Sequence, residues 1–308
     1  MSGSELIQAQ SQAQRSVIEQ LSARPTTDGD GVQLLRVFGG QAPERFDPFL
    51  MLDEFGSDTP SAYIGGFPSH PHRGFETVTY MLEGKMEHRD HMGNVGLIDD
   101  GDVQWMTAGK GVIHSEMPRQ TEGRMRGFQL WVNLPADKKM QPANYIDIKS
   151  SDIPVYDLKD DAGKAFRVKA ISGTTQANGE PLQGHTQVPD TEALYLDIHL
   201  AAGADLSLSV PSGHGAMVYV YEGTAVVAGQ QTAAQVLSRL TTDGDVTLKN
   251  DDTVEVRLLL IAGKPINQPI VQYGPFVMNS RAEIEQAVRD FRDGTLTDPT
   301  SPASHQAS

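Results

Sequence analysis

Residues 67–84, FPSHPHRGFETVTYMLEG, decide the fold, because they combine strand-forming residues with two closely spaced histidines. The segment 75–82 is rich in β-branched and aromatic side chains, a composition typical of a β-strand. Other short apolar segments recur about every ten residues between Gly, Pro and Asp, which is the spacing of strands in sandwiches and barrels. They lie at 32–38, 94–98, 102–106 and 126–134. The sequence therefore predicts an all-β sandwich or barrel.

The composition excludes several classes of function. The chain has 308 residues, enough for two domains, and its 40 acidic and 25 basic side chains give a net charge of −15. Because such a surface repels phosphate backbones, we expect no direct binding of nucleic acid. No apolar stretch approaches the about 18 residues of a membrane helix, and the N-terminal segment lacks the apolar core of a secretory signal. We therefore expect a cytoplasmic protein without membrane association. The absence of cysteine excludes disulfides and thiolate metal ligands.

The chain reads as two β-rich domains with an extension at each end. We predict a first domain at 26–148 and a second at 149–294, since the polar, proline-containing stretch 135–154 is typical of an inter-domain connection. Residues 1–25 predict a helical extension with its apolar side chains near one stripe, namely Leu6, Ala13, Val17 and Leu21. Residues 295–308 are expected to be a disordered tail.

Two local features refine this division. Residues 280–294 predict a helix, because Ser280 and Glu283 match a capping box and Gly294 follows the last turn. The pattern Y-x-x-E-G occurs at 80–84 and again at 219–223, each time at the end of a predicted strand. This weak repeat predicts two copies of one β-barrel.

Two pairs of side chains predict a metal site in the first domain. His70 and His72 are separated by one residue, so on a strand they point the same way with Cα atoms about 6.6 Å apart. His114 and Glu116 form a second pair of this kind. Placed on neighbouring strands, the two pairs form a cage for one divalent metal ion. Nitrogen and oxygen ligands without sulfur favour Fe(II), Mn, Ni or Zn over Cu(I).

The other histidines carry no such pattern. His88 and His91 lie in the polar stretch 84–94, GKMEHRDHMGN, and are expected at the exposed tip of a hairpin. Four more are isolated and are interpreted as ordinary surface or core residues, namely His185, His199, His214 and His305. A single H-x-H pair in a strand is itself often incidental, so the metal prediction depends on the presence of both pairs.

The motifs resemble those of a known family. The segment 67–84, which contains the pattern H-x-H-x3-E, resembles the first cupin motif, and the segment 101–118, GDVQWMTAGKGVIHSEMP, resembles the second. Together with FDPFLMLDEF at 46–55, these segments resemble the pirin family. The segment 214–223, HGAMVYVYEG, resembles a pirin C-terminal cupin. The resemblance implies a bicupin of two tandem antiparallel β-barrels, with a few peripheral helices and metal only in the first. It implies the same ligands that spacing suggests: His70, His72, His114 and Glu116.

Two further residue assignments follow from the resemblance. Most cupins use the earlier carboxylate, here Glu76, as a ligand. It follows His72 by four residues and is expected on the same side of a strand, as a pocket residue or an alternative ligand. Aligning the two copies of the repeat places Ser209, Pro211 and Gly215 where the second barrel would need ligands, and none of them can replace a histidine or a glutamate.

The resemblance also implies an activity. Pirins are associated with quercetin 2,3-dioxygenase activity, and some act as iron-dependent co-regulators of transcription through protein partners. We expect an Fe(II) site that accepts a flavonol, with Glu116 as the base for its 3-hydroxyl. The candidate cavity walls are Phe49, Phe75, Phe128 and Trp105, although ordinary core packing is the favoured interpretation of each.

Two alternatives stay open at this stage. In the first, the protein is a non-enzymatic regulator whose metal oxidation state alters a protein-binding surface formed by Arg36, Arg45, Asp53 and Glu54. In the second, the barrel is a cupin isomerase of a sugar or a similar metabolite. The second alternative has less support, because no cluster of Lys and Arg for a phosphate group stands beside the predicted ligands.

Overall fold

The computed structural model describes residues 13–297 and the backbone of 304–307. The first half of the described chain contains strands β1 (Val17–Ser22), β2 (Arg24–Asp28), β3 (Val32–Gly39), β4 (Phe49–Ser57), β5 (Phe67–His72), β6 (Phe75–Glu83), β7 (Met86–Asp90), β8 (Val95–Ile98), β9 (Val103–Thr107), β10 (Val112–Pro118), β11 (Met125–Asn133) and β12 (Asn144–Ile148). Two short 3-10 helices, Pro43–Phe46 and Pro60–Ala62, flank β4.

The second half contains one α-helix and the remaining strands. These are β13 (Val155–Lys159), β14 (Ala165–Ser172), β15 (Thr174–Ala177), β16 (Glu180–Gln183), β17 (Leu194–Leu200), β18 (Asp205–Leu208), β19 (Gly215–Glu222), β20 (Thr224–Val227), β21 (Gln230–Ala233), β22 (Val236–Leu240), β23 (Val246–Lys249), β24 (Val256–Gly263), β25 (Val271–Tyr273), β26 (Phe276–Met278), α1 (Arg281–Arg292) and β27 (Ser304–Ala307).

The described strands other than the separate hairpin β25–β26 form two barrels, each made of a long and a short sheet. In the first barrel the long sheet has the order β2-β3-β4-β11-β6-β9-β12-β27 and the short sheet β5-β10-β7-β8. In the second the orders are β1-β22-β19-β24-β17-β14-β13 and β16-β15-β18-β23-β20-β21. All pairings are antiparallel except that of β12 with β27 and a few isolated bridges. The predicted all-β, two-barrel fold is confirmed.

The two barrels pack through their long sheets. One apolar cluster joins side chains of both sheets, for example Val78 and Trp105 from the first barrel with Tyr195 and Leu259 from the second. Because the central strands of each long sheet are buried on both faces, their burial does not alternate along the strand. This double burial explains why β6 (FETVTYMLE) is buried along most of its length.

The second barrel has an apolar interior. Its two sheets enclose a cluster of Leu, Val, Ile and Ala side chains drawn from both sheets. The repeat recognised in the sequence corresponds to the central strands β6 and β19, each flanked by two equivalent neighbours and followed by a glycine with positive φ. Gly84 and Gly223 have φ values of 100° and 80°. Side chains with a Cβ adopt this region rarely, which explains glycine at both turns.

The predicted N-terminal helix is wrong for the described residues 13–25, and residues 1–12 lie outside the described chain. Val17, Glu19 and Leu21 are partly buried and alternate with exposed neighbours, which is the period of a strand. This segment is β1, which pairs with β22 at the edge of the second barrel. Residues 17 and 21 are four positions apart, a spacing that fits both a helical stripe and one face of a strand. The segment is a strand because it pairs with the edge strand β22.

The C-terminal segment returns to the first barrel. Gly74 has φ 90°, and a Cβ built there would lie 2.0 Å from the Val277 carbonyl oxygen, so only glycine allows this approach. The Arg73 guanidinium donates to Asp290 at 2.7 Å and to the Leu296 carbonyl at 3.1 Å. Thus β26 and α1 cover the outside of the first barrel, although the sequence division assigns them to the second domain.

The C-terminal helix is confirmed, and part of the tail differs from expectation. Ser280 is the N-cap of α1 and accepts a hydrogen bond from the Glu283 backbone N–H, as the capping box predicts. Leu296 is buried, and Ser304–Ala307 pairs in parallel with β12, so the expected disorder is wrong for 295–297 and for 304–307. Residues 298–303 and 308 lie outside the described chain. No helix among the described residues is long and apolar enough to span a membrane.

Candidate metal centre

Three of the four predicted ligands meet on one wall of the first barrel. Strands β5 and β10 pair with His70 directly opposite His114, and His72 follows on the same face of β5. The nearest ring nitrogens of these three histidines all lie within 4.8 Å of one another. The Nε2 atoms of His70 and His72 are 3.0 Å apart. The structure therefore brings the three imidazoles to a single point, as the strand spacing predicts.

Hydrogen bonds orient two of the imidazoles toward that point. The His70 Nδ1–H donates to the Pro68 carbonyl at 2.8 Å, which leaves its Nε2 without a proton. The His114 Nδ1 lies 2.5 Å from His88 Nε2. The Nε2 atom of His114 is buried and has no hydrogen-bond partner in the described part of the chain. A buried ring nitrogen without a partner is costly unless it binds a cation, so the donor set fits a divalent metal ion.

The position of His88 differs from the prediction. It is 1% exposed, not at the surface of a hairpin tip, because on β7 it pairs with Glu116 and faces the barrel interior. Its ring lies behind His114, with the ring centroids 4.7 Å apart. His91, the other histidine of this segment, is exposed as predicted. The sequence did not predict this burial because the residues next to His88 are polar. The signal that could have indicated it is the alternation of Met86 and His88 with Glu87 and Arg89, which is typical of a strand.

Glu116 lies in the same cavity but apart from the three imidazole nitrogens. The pairing of β5 with β10 shifts register between His114 and Glu116. His114 lies opposite His70, but Glu116 lies opposite Phe67 instead of Pro68. The Glu116 carboxylate lies 3.1 Å from the Thr79 hydroxyl oxygen, whose proton is donated to Gln129 Oε1, and 3.5 Å from the Gln129 amide nitrogen. It is thus a buried carboxylate held beside the histidine cluster.

Burial sets the protonation of the site. Desolvation lowers the pKa of His72 and of His114 well below the ordinary value, and the neighbouring imidazoles lower both pKa values further. These rings are therefore neutral at neutral pH, the state that binds metals. Desolvation also raises the pKa of Glu116, while nearby His70 acts in the opposite direction. A carboxylate with a raised pKa accepts a proton more readily than an exposed one.

A cavity of about 400 Å³ opens in front of the histidines. His70, His72 and Glu116 line it together with apolar side chains of both sheets and the hairpin loop at 274–275. The apolar lining consists of Leu34, Met51, Phe55, Phe67, Met86 and Trp131. This volume and lining are typical of pockets for small organic molecules.

The candidate aromatic walls separate into two groups. Phe75 lies against His72, with ring centroids 5.1 Å apart, but it is packed with Leu50 and Val277 and does not line the cavity. Trp131, which contacts both rings, does line it. Phe49, Phe128 and Trp105 belong to the apolar cluster between the barrels, so core packing, the favoured interpretation, is confirmed and the cavity-wall alternative is wrong for these three residues. They point outward because neighbouring strand residues face opposite sides of the sheet. Trp131 was missed because its partner residues are far away in sequence.

Glu76 points away from the histidines. The chain bends at Arg73 and Gly74 between β5 and β6, which breaks the alternation that would place Glu76 beside His72. Its carboxylate accepts hydrogen bonds from Trp105 Nε1 at 3.0 Å and from the Thr107 hydroxyl at 2.6 Å. The expectation that Glu76 shares a face with His72 is therefore wrong, and Glu76 belongs to the packing between the barrels.

The four charged residues considered for a protein-binding surface do not form one. Asp53 is buried and pairs with Arg36 at the cavity. Glu54 is buried between the barrels, where it accepts hydrogen bonds from Arg126 Nε at 2.8 Å and from the Tyr219 hydroxyl at 2.6 Å. Arg45 pairs with Glu19 elsewhere. The interpretation of these residues as one exposed surface is wrong.

The remaining described histidines lie far from the cluster in the fold. His214 is buried beside Glu192 at 3.2 Å, and His199 lies between the barrels, 3.2 Å from the Tyr221 hydroxyl. His185 is partly buried beside Thr186. The side chain of His305 lies outside the described part of the structure. The alignment of the two repeat copies predicts Ser209, Pro211 and Gly215 in the second barrel at the positions of His70, His72 and Glu76.

Comparison with known proteins supports the fold. The sequence model of the Pirin family matches residues 31–132, and that of the Pirin C-terminal cupin domain matches 195–297. A protein of Pseudomonas aeruginosa provisionally named quercetin 2,3-dioxygenase is 53% identical over 285 residues, covering 92% of this chain and 98% of that protein. Rat pirin is 41% identical over 276 residues, covering 88% and 90%.

A solved structure agrees with these relatives. The crystal structure of quercetin 2,3-dioxygenase from Acinetobacter baumannii superposes with a TM-score of 0.83 at 34% identity, covering 94% of this chain and 100% of that one. Two tandem β-barrels with a histidine cluster inside the first define a bicupin, and these homologues imply a divalent metal ion. Within this class, the chain belongs to the pirin family.

Proposed function

We propose that the protein is a metal-dependent dioxygenase that acts on a flavonol such as quercetin. The observation that carries the proposal is the meeting of three imidazoles, two of which, His70 and His72, line an aromatic-lined cavity of about 400 Å³. His70, His72 and His114 would hold one divalent ion, with Glu116 as the fourth ligand. We propose Fe(II) first, and Mn, Ni or Zn as the other ions that these ligand types accept. The relatives named for quercetin dioxygenase activity support the choice of substrate.

The bound ion would supply Lewis-acid chemistry and open coordination positions. The protein's own contribution begins with Glu116. Glu116 would hold the ion together with the histidines, and its carboxylate would take the proton of the substrate 3-hydroxyl. Thr79 and Gln129 restrain this carboxylate from the long sheet. The aromatic pair Phe75 and Trp131 packs against His72 and limits the approach of water.

Turnover of quercetin tests the proposal. Protein loaded with Fe(II) is mixed aerobically with quercetin, and loss of flavonol absorbance is followed together with oxygen uptake. We expect equimolar consumption of both. The double variant His70→Ala, His114→Ala should abolish it, whereas His91→Ala, which changes an exposed histidine of the same half of the barrel, should not. Equal rates in the double variant and the wild type would refute the dioxygenase proposal.

Elemental analysis tests the ligands separately. After reconstitution and removal of free metal, the wild type should retain about one ion per chain. His72→Ala should retain markedly less, and His91→Ala should match the wild type. Equal substoichiometric metal in the wild type and His72→Ala would show that the ligands are wrongly assigned. The cytoplasmic location remains part of this proposal and is supported by composition alone.

A further inference from the structure

A row of polar side chains crosses the cavity wall opposite the histidines. Arg36 on β3 pairs with Asp53 on β4, Asp53 with Gln129 on β11, and Gln129 with Thr79 on β6. Residues in register across a sheet point to the same face. The Thr79 hydroxyl donates to Gln129 Oε1 at 2.6 Å and reaches Glu116 at 3.1 Å. Three steps of about 4.8 Å separate the backbones of Arg36 and Thr79, so the row spans roughly 14 Å.

Arg36 is fixed at the outer end of this row. Its Nε and Nη2 donate to the two oxygens of Asp53 at 3.0 and 2.8 Å, and Asp53 itself is buried. A bidentate pair of this kind holds the guanidinium plane in one orientation. Nη1 has no hydrogen-bond partner among the residues that the structure describes. The Arg36 side chain is 34% exposed and lines the cavity. The two N–H groups of Nη1 are therefore available to a ligand in the cavity.

The charges around Arg36 select the type of ligand group. Asp28 also lines the cavity, and its Oδ2 lies 3.4 Å from Arg36 Nη2. One guanidinium therefore faces two carboxylates, and a further carboxylate or phosphate would be repelled. A phenolic hydroxyl avoids this repulsion, because its oxygen accepts from Arg36 while its proton is donated to Asp28. A methoxy group could accept but could not donate.

We propose that Arg36 and Asp28 bind a hydroxyl group on the substrate ring farthest from the histidines. This inference rests on the proposed function, since it assumes that a flavonol occupies the cavity with its 3-hydroxyl near Glu116. It makes the substrate class a planar aromatic molecule that is hydroxylated at both ends. Arg36 acts as a specificity-determining residue and takes no part in the oxidation.

Binding without turnover tests this inference. The metal-loaded protein is titrated under anaerobic conditions with quercetin and with galangin, the flavonol that lacks the two hydroxyls of the remote ring. Quenching of tryptophan fluorescence reports binding, since Trp131 lines the cavity. We expect quercetin to bind about tenfold more tightly than galangin, the effect of one hydrogen bond to a charged group.

Arg36→Lys is the informative variant, because it keeps a positive charge beside buried Asp53 but lacks the planar fork that holds both Asp53 oxygens and directs further N–H groups into the cavity. It should reduce the preference for quercetin to about twofold or less while galangin binds as before. Should the lysine variant fail to fold, the double variant Arg36→Gln, Asp53→Asn removes both charges together and should show the same loss.

The matched control is Arg167→Lys. Arg167 binds Asp157 with the same two-atom geometry across a strand pair, at 2.7 and 3.1 Å, but lies on the exposed edge of the second barrel. This variant should keep the wild-type preference. An unchanged preference in Arg36→Lys, or failure of both flavonols to bind the wild type, would overturn the inference. A preference that depends on Arg36 without any turnover of quercetin would uphold it and refute the dioxygenase proposal alone.

Discussion

His88 Nε2 lies 2.5 Å from His114 Nδ1, and this contact directs the other nitrogen of His114 toward His70 and His72. The two residues come from neighbouring strands, β7 and β10, whose side chains share the barrel interior. A partner on the far nitrogen of a metal-binding imidazole sets its tautomer and its ring orientation. His88 is therefore a positioning residue for the proposed metal centre.

Replacement of His88 should weaken metal binding without removing a ligand. We expect His88→Phe to lower the affinity for a divalent ion by about 10-fold to 100-fold, because His114 loses the bond that orients it. Competition with a chromophoric chelator measures the affinity. His91→Phe, at an exposed position of the same hairpin, serves as the control. An affinity equal to that of the wild type would mean that His114 needs no support from His88.

The two buried glutamates should respond differently to removal of their charge. Glu76→Gln should leave the metal content unchanged, because Glu76 is bonded to Trp105 and Thr107 on the side of the sheet away from the histidines. Glu116→Gln should lower the metal content, since an amide oxygen is a weaker ligand than a carboxylate. Metal analysis after identical reconstitution compares the two variants. Loss of metal in Glu76→Gln alone would reverse the assignment.

Arg15 should stabilise the second barrel. Its guanidinium is 2% exposed and donates to backbone carbonyls of five residues, namely Val210, Pro211, His214, Thr241 and Gly244. Arg15→Met would leave several buried carbonyls without donors, and we expect it to lower the free energy of unfolding by about 3 kcal/mol. Urea denaturation measures the loss. Arg24→Met, at an exposed position of β2, should change stability by less than about 0.5 kcal/mol.

Metal binding provides a second readout for Arg15. Because the proposed metal centre lies in the other barrel, folded Arg15→Met should bind metal as the wild type does. A stability equal to that of the wild type would show that water replaces the guanidinium without cost.

Lys139 should make stability depend on pH. Its ammonium group donates to the Gly74 and Val277 carbonyls and to Asn133 Oδ1, and burial lowers its pKa to about 7 from the ordinary 10.5. Between these pH values the unfolded chain carries one proton more than the folded chain at this site. The free energy of unfolding should therefore rise with pH in this window, by up to about 1.4 kcal/mol per pH unit.

Comparison with Lys139→Met isolates this effect. The difference in stability between the wild type and the variant should grow in favour of the wild type from pH 7 toward pH 10, and should stay constant below pH 6. Urea denaturation at several pH values checks this dependence. A difference that is constant across the whole range would show that Lys139 has an ordinary pKa in the folded protein.

The sequence by itself determined the strand-rich fold, the helix at the C-terminal end and the three histidines. These features follow from local rules. Alternate residues of a strand share a face, so His70 and His72 point together wherever the strand lies, and Ser280 caps a helix through atoms three residues away. The repeat of Y-x-x-E-G likewise marks two equivalent turns, where glycine is required by the backbone conformation.

Only the tertiary structure decided which side chains face the cavity and which face the other barrel. The central strands of each long sheet are buried on both faces, so the polarity of a residue does not show which face it lies on. Trp105 and Trp131 lie on opposite faces, but they look alike in sequence. The bend at Gly74 turned Glu76 away from the histidines, and the pairing of β7 with β10 buried His88. Pairing between strands distant in sequence also placed Arg36 in register with Asp53. Such register depends on how the whole sheet closes, and no local pattern contains it.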